Sequence, residues 1–197
     1  FRSTIDTSAG NGSVTLSSTL NGAFDFDISS GTGAVAIQGV TGATAALASL
    51  DINNAAGSGT IEVNNIGAGA AGVTNATRIG NGATTTLTLD GTVYNANAAT
   101  YTTTAGENID LTNGATTTFT SSADAITFAT GTVELADGSD LTVNSNGAGT
   151  GNITLVAIKG NSAEDVILNA GADALAVGQI GAVASEINDV TLTGGTI

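Results

Sequence analysis

Cysteine, histidine, methionine, tryptophan and proline are all missing from the 197-residue chain, and each absence removes a chemistry. Without Cys or His there is no thiolate nucleophile, no imidazole base, no disulfide and no ordinary zinc or haem ligand set. Cations are nearly as scarce: Arg2, Arg78 and Lys159 stand against 17 acidic residues. The resulting net charge of −14 repels a polyphosphate backbone, so nucleic acid is excluded as an expected partner. No apolar run approaches the ~20 residues that cross a bilayer as a helix, and no transmembrane segment is expected. The chain neither begins with Met nor shows the basic-then-apolar pattern of a signal peptide. It reads as a processed chain or a segment of a longer protein, and no composition break divides residues 1–197 into separate domains.

What is present is small. Ala and Gly abound, and the charged fraction of 10% lies far below the usual ~25%. Leu, Ile and Val together make about one fifth of the chain, just enough to favour order over disorder. Seven aromatic residues cannot fill a wide interior, so the core must be narrow and extended along one axis. A stacked solenoid meets that requirement, because each repeat buries its small apolar side chains against its neighbours. A compact β-sandwich is the rival architecture. The lack of Cys and the acidic balance fit a secreted protein, extracellular or on the cell surface.

Period-two alternation dominates the pattern. It runs through Val14-Thr15-Leu16, Phe24-Asp25-Phe26-Asp27-Ile28, Val35-Ala36-Ile37, Leu50-Asp51-Ile52, Ile61-Glu62-Val63 and Leu87-Thr88-Leu89. It continues through Ile109-Asp110-Leu111, Thr118-Phe119-Thr120, Ile126-Thr127-Phe128, Val133-Glu134-Leu135, Leu141-Thr142-Val143, Ile153-Thr154-Leu155, Val166-Ile167-Leu168 and Val190-Thr191-Leu192. Clusters such as Asn11-Gly12, Asn21-Gly22, Asn81-Gly82, Asn113-Gly114, Asp137-Gly138 and Asn146-Gly147-Ala148-Gly149 separate these short strands and can supply positive φ. Asn-Gly between alternating strands is a hairpin signal. Against hairpins stands the near absence of Lys and Pro, the usual guards of free sheet edges. Two echoes suggest repetition: residues 81–88 match 113–120 in seven of eight places, and residues 31–37 loosely match 149–155. The expected fold is all-β, a parallel β-solenoid.

Phe1-Arg2-Ser3-Thr4-Ile5-Asp6, Ala9 to Leu16, Gly31 to Ile37, Gly39 to Leu50, Val93 to Leu111 and Val133 to Val143 resemble the β-strand-repeat segments of large bacterial exoproteins, which are similar to filamentous haemagglutinin-like adhesins. The resemblance covers most of the chain in pattern and composition. It implies a right-handed parallel β-helix (β-solenoid) of about 10 coils at roughly 20 residues each, exported to the cell surface for adhesion or as structural material. It brings no catalytic residues.

Candidate sites are few. Asp25 and Asp27 share one strand face about 7 Å apart, a spacing open to a cation or a glycosidase pair, but equally that of two solvated residues between inward apolar ones. Turn carboxylates Asp137, Asp140 and Asp173 are the candidate calcium ligands, since hard oxygen donors suit that ion, although no cofactor is required. Thr segments 84–88, 100–104 and 116–120 would form hydroxyl and methyl arrays if they stacked on one flat face, as on β-helical ice-binding proteins. Thr is also simply a good strand former. Asn11, Asn75 and Asn152 begin glycosylation-type triplets that chance explains in so Asn- and Thr-rich a chain.

The expected function is therefore non-catalytic: a structural or adhesive element of a bacterial surface fibre, filament or sheath. The alternative is a binding module for a glycan, calcium or ice. Expected partners are the chain itself, stacked head to tail, or adjoining repeats of the same chain, with a surface glycan as a further candidate.

Overall fold

The computed structural model describes residues 1–122, 124–145, 151–181 and 186–197. The turn at 146–149 and residues 149 and 150 of the second echo lie outside the described residues. The chain winds through eight coils. Coil 1 holds β1 (Arg2–Asp6) and β2 (Val14–Leu16), coil 2 holds β3 (Asp25–Ser29) and β4 (Val35–Ile37), and coil 3 holds β5 (Ser49–Ile52) and β6 (Ile61–Val63). Coil 4 is built from β7 (Thr77–Ile79), β8 (Leu87–Leu89) and β9 (Val93–Asn95), and coil 5 from β10 (Ala99–Thr102), β11 (Asn108–Leu111) and β12 (Thr117–Thr120). In the last three coils the first two strands fuse: β13 (Ile126–Leu135) with β14 (Leu141–Asn144), β15 (Ile153–Lys159) with β16 (Glu164–Asn169), and β17 (Leu175–Ile180) with β18 (Ile187–Thr193). One 3-10 turn at Ser8–Gly10 is the only helical element among the described residues, and no helix is long and apolar enough to cross a membrane.

Every strand pair is parallel. Three faces result. Face 1 stacks β1, β3, β5, β7, β10 and the first halves of β13, β15 and β17; face 2 stacks β2, β4, β6, β8, β11 and the second halves of those three strands. Face 3 begins as single bridges at Leu20, Thr41 and Ile66 and widens into β9, β12, β14, β16 and β18. The hairpin reading of Asn-Gly fails for a physical reason. Among the described residues those turns are corners of a coil, and their Asn side chains bind a neighbouring coil instead of closing a two-strand loop. Asn11 Oδ1 accepts the Thr32 N–H at 2.9 Å, and Asn21 Oδ1 accepts that of Thr44 at 2.9 Å.

The coil number is eight, not ten. On face 1 the register steps by 22 to 27 residues, as from Thr77 to Ala99 and from Ala99 to Ile126, because the corners take more residues than a 20-residue coil allows. At about 4.8 Å per coil the rod is about 38 Å long. Neither echo is a coil repeat. Leu87 of the first copy points inward on face 2, whereas its counterpart Phe119 points inward on face 3. In the second echo Val35 lies on face 2 and Ile153 on face 1.

The core is a bundle of files, one residue per coil. One runs Ile5, Ile28, Ile52, Ile79, Tyr101, Phe128, Leu155, Val177; another runs Leu20, Thr41, Ile66, Tyr94, Phe119, Val143, Leu168, Leu192. In the middle coils these files carry the aromatics. Tyr94 stacks on Phe119 at 4.8 Å and Tyr101 on Phe128 at 5.2 Å, while Tyr101 meets Phe119 edge-on at 5.3 Å. Four of the seven rings therefore form one packed cluster in the middle coils, while Phe1, Phe24 and Phe26 form a second at the N-terminal end. Neighbouring coils approach so closely at some corners that only glycine fits: a Cβ on Gly59 would overlap the Gly33 carbonyl, and one on Gly33 would overlap Gly12.

Candidate functional site

The richest polar region is the corner between faces 2 and 3 in coils 5 to 8. Asp140 precedes β14, and its Oδ1 accepts the Asp165 N–H at 2.9 Å from the coil above. Asp165 repeats the move on the Asp189 N–H at 3.2 Å, and it also accepts Asn188 Nδ2 at 3.0 Å. Thr116 Oγ1 donates to the other oxygen of Asp140 at 3.3 Å. The carboxylates therefore climb the corner one per coil, each held by a backbone donor.

Glu164 closes the same corner in coil 7 from inside. It is only 1% exposed. Its carboxylate accepts the Asn161 N–H at 2.8 Å, the Ser162 N–H at 2.9 Å and the Ser162 hydroxyl at 2.7 Å. Burial alone raises this carboxyl's pKa, but the Ser162 and Asn161 donors outweigh it and pull the value down to about 2. The Ser162 hydroxyl also lies 2.7 Å from Asp137 Oδ1. One hydroxyl carries one proton, so Asp137 and Glu164 compete for it.

Of the three calcium candidates, the structure brings Asp137 and Asp140 into one turn of coil 6. Asp173 sits elsewhere, at the corner between faces 3 and 1 in coil 7, where its Oδ2 accepts the Gly151 N–H at 2.9 Å. Among the described residues no group of three or more acidic side chains converges as a metal cage. A cation at Asp137, Asp140 or Asp173 would have to share oxygens already turned toward backbone or hydroxyl donors.

The Asp25 and Asp27 pair is likewise engaged: Asp25 accepts Ser49 Oγ at 2.7 Å, and Asp27 meets Arg2 at 2.6 Å. All three cationic side chains are paired across coils, Arg78 with Asp51 at 3.2 Å and Lys159 with Glu134 at 3.0 Å. These pairs are solvent-accessible and contribute at most about 1 kcal/mol each. Asp110, one coil below Glu134, has its pKa raised by burial and by the Glu134 charge, against the opposing pull of Lys159. Asn11 and Asn152 spend their side-chain oxygens on the N–H groups of Thr32 and Ala174, and Asn75 is exposed.

The three Thr segments do not form one ladder. Thr88 faces outward on face 2, Thr100 on face 1 and Thr118 on face 3. Register builds other ladders: Thr100, Thr127 and Thr154 stack on face 1. Two inner features carried no sequence signal. Glu164 sits in a stretch that reads as an ordinary polar turn, although the spacing Ser162-Ala163-Glu164 suits a side chain folding back on its own loop. Tyr101 is fully buried and its hydroxyl has no partner, whereas the Tyr94 hydroxyl donates to the Val63 carbonyl at 2.7 Å and accepts the Gly91 N–H at 2.9 Å. Burial raises the pKa of both phenols.

The architecture defines the class: a parallel β-solenoid of three faces. No family model, curated protein or solved structure matches the chain.

Proposed function

We propose that the chain is a non-catalytic structural or adhesive element of an extracellular fibre, filament or surface sheath, with the coil as its stacking unit. One observation carries the reading. The apolar files run the whole length of the rod and are still uncovered at both ends. Val166 is fully buried, yet Val190, its register partner in coil 8, is 44% exposed. Val177, Ile180, Ile187 and Leu192 at one end, and Ile5, Leu16, Leu20 and Phe24 at the other, are only partly covered. Apolar side chains in such files gain about 25 cal/mol per Å² when another coil covers them, and the unpaired strand edges of an end coil template further strands. Adjoining repeats of the same chain or a second copy stacked head to tail would supply that coil. In the stacked arrangement Val177 would meet Ile5 of the next copy and Leu192 would meet Leu20, continuing both files in kind.

Electron microscopy of the native source, with antibody to this chain applied to intact cells, tests the reading. Labelled filaments or a labelled sheath are expected; label found only after cell lysis would overturn it. Sedimentation of the isolated chain over a wide concentration range tests stacking. Association that weakens when Val177 and Ile180 are changed to Lys is expected, and a monomer at every concentration would refute self-stacking.

A further inference from the structure

Charge is distributed unevenly over the three outer faces. The outward file of face 1 includes Asp27, Asp51 and Arg78, and that of face 2 includes Glu62, Asp110, Glu134 and Lys159. Face 3 has two outward files over coils 4 to 8: Val93, Thr118, Thr142, Ile167 and Thr191, beside Asn95, Thr120, Asn144, Asn169 and Thr193. None of these ten residues is charged, in a chain of net charge −14; the carboxylates of Asp140, Asp165 and Asp189 border the first file at the corner with face 2, where Asp140 and Asp165 are each engaged by a backbone N–H of the next coil.

The same ten positions form a regular grid. From β9 to β16 the pairing over these files is free of bulges, and the one shift on this face lies upstream, between Glu164 and Val166. Successive coils stand about 4.8 Å apart, and alternate residues along a strand about 6.6 Å apart. The first file is β-branched in all five coils, so each side chain has a restricted χ1 and repeats its methyl or hydroxyl at the same place. Ile167, the fourth residue of this file, is 43% exposed.

We propose that the outer surface of face 3 binds ice. An ionised side chain needs a mobile hydration shell, which a frozen lattice cannot supply, so the two uncharged files are the part of face 3 that can approach it, with the carboxylates left at its border. A rigid grid of hydroxyls, amides and methyls orders water at fixed repeats, and its two spacings are close to the oxygen repeats of a prism surface of hexagonal ice. The outward files carry no aromatic side chain, which disfavours a crystalline glycan, where flat sugar rings call for aromatic platforms. The proposal rests on the surface reading above only for where the face is displayed; binding itself is a property of the isolated chain.

The test is partition into a growing ice hemisphere, with fluorescently labelled chain in dilute solution, together with the shape of single ice crystals grown in its presence. The wild-type chain is expected to enter the ice and facet the crystals. Thr142→Lys and Thr118→Lys, in the centre of the grid, should lose both effects, while Thr127→Lys on face 1 should keep them. Circular dichroism verifies that each variant retains its β-structure; should a central variant unfold, Thr191→Lys in the last coil replaces it. Exclusion of the wild-type chain from ice would overturn the proposal, as would equal loss in the face 1 variant. Binding to crystalline chitin or cellulose with exclusion from ice would overturn it in favour of a glycan, and would leave the structural reading untouched.

Discussion

Replacing Glu164 with Gln isolates the charge of one buried carboxylate from its shape. Gln keeps the length of the side chain and one acceptor oxygen, but its second terminal atom becomes an NH2 group facing the N–H donors of residues 161 and 162. Of the four contacts that the Asn161 and Ser162 donors make, about two survive. A hydrogen bond to a charged acceptor has a net value of about 1.5–3 kcal/mol; taking the lower end of that range, two lost bonds cost about 3 kcal/mol. For a chain of this size that lowers Tm by roughly 6–12 °C. The pH dependence follows from the sign of the shift. The folded pKa of about 2 lies below the ordinary 4.5, so the carboxylate's contribution is complete above about pH 4.5 and is lost as pH falls toward about 2. Urea unfolding followed by circular dichroism, for wild type and Glu164→Gln across that range, should show a wide gap near neutrality that closes in acid. A gap that stays constant down to pH ~2, or one below about 0.5 kcal/mol at pH ~7, would refute the assignment of this stability to the charged form.

The two tyrosines give opposite outcomes from the same chemical change. Tyr101→Phe removes a buried hydroxyl without a partner and should raise stability by about 1 kcal/mol, whereas Tyr94→Phe strands the Val63 carbonyl and the Gly91 N–H and should cost about 1–3 kcal/mol; thermal melts of both decide it. Asp137→Asn should stabilise the chain by up to about 1 kcal/mol, since an amide at that position can donate to Ser162 Oγ and leave the hydroxyl proton to Glu164. A drop in the urea midpoint would contradict that account. Gly59→Ala drives a methyl into the Gly33 backbone and should cost about 1–3 kcal/mol or more, with hydrogen exchange accelerated first in β4 and β6, the strands flanking that corner.

The period-two pattern located most of the strands because an outward Thr or Asp between inward aliphatics is visible without knowing which coil a strand belongs to. It missed those whose inward residues do not look apolar or are too few. Strand β7 turns Thr77 inward beside Ile79, β10 turns Ala99 inward beside Tyr101, and β17 is interrupted by Gly178. Which outward residues become neighbours was illegible, because that depends on register across corners of unequal length. Thr118 is adjacent to Thr142 in space, not to the Thr segments nearest it in sequence. Asp137 and Asp140 were visible as turn carboxylates, but their use as acceptors for the next coil depends on that same register. Glu164 and Tyr101 depend on the inside of the coil, where a polar group's partner, or its absence, leaves no mark in the local sequence.

The unequal coils have an evolutionary and engineering consequence. Between faces 1 and 2 the corner of coil 3 takes residues 53–60, while in coil 6 the same corner is a bend at Gly131 within the single strand β13. Both leave the flanking strands in register with the coils on either side. Insertions and deletions at corners are thus mechanically silent, whereas a shift of one residue within a strand would turn its apolar side chains outward. Descendants of such a rod can drift in length until no fixed repeat survives in their sequences while the ladder stays intact. The exposed tip at residues 54–56 is accordingly a natural port for a peptide tag or epitope, displayed without disturbing the coils that carry it.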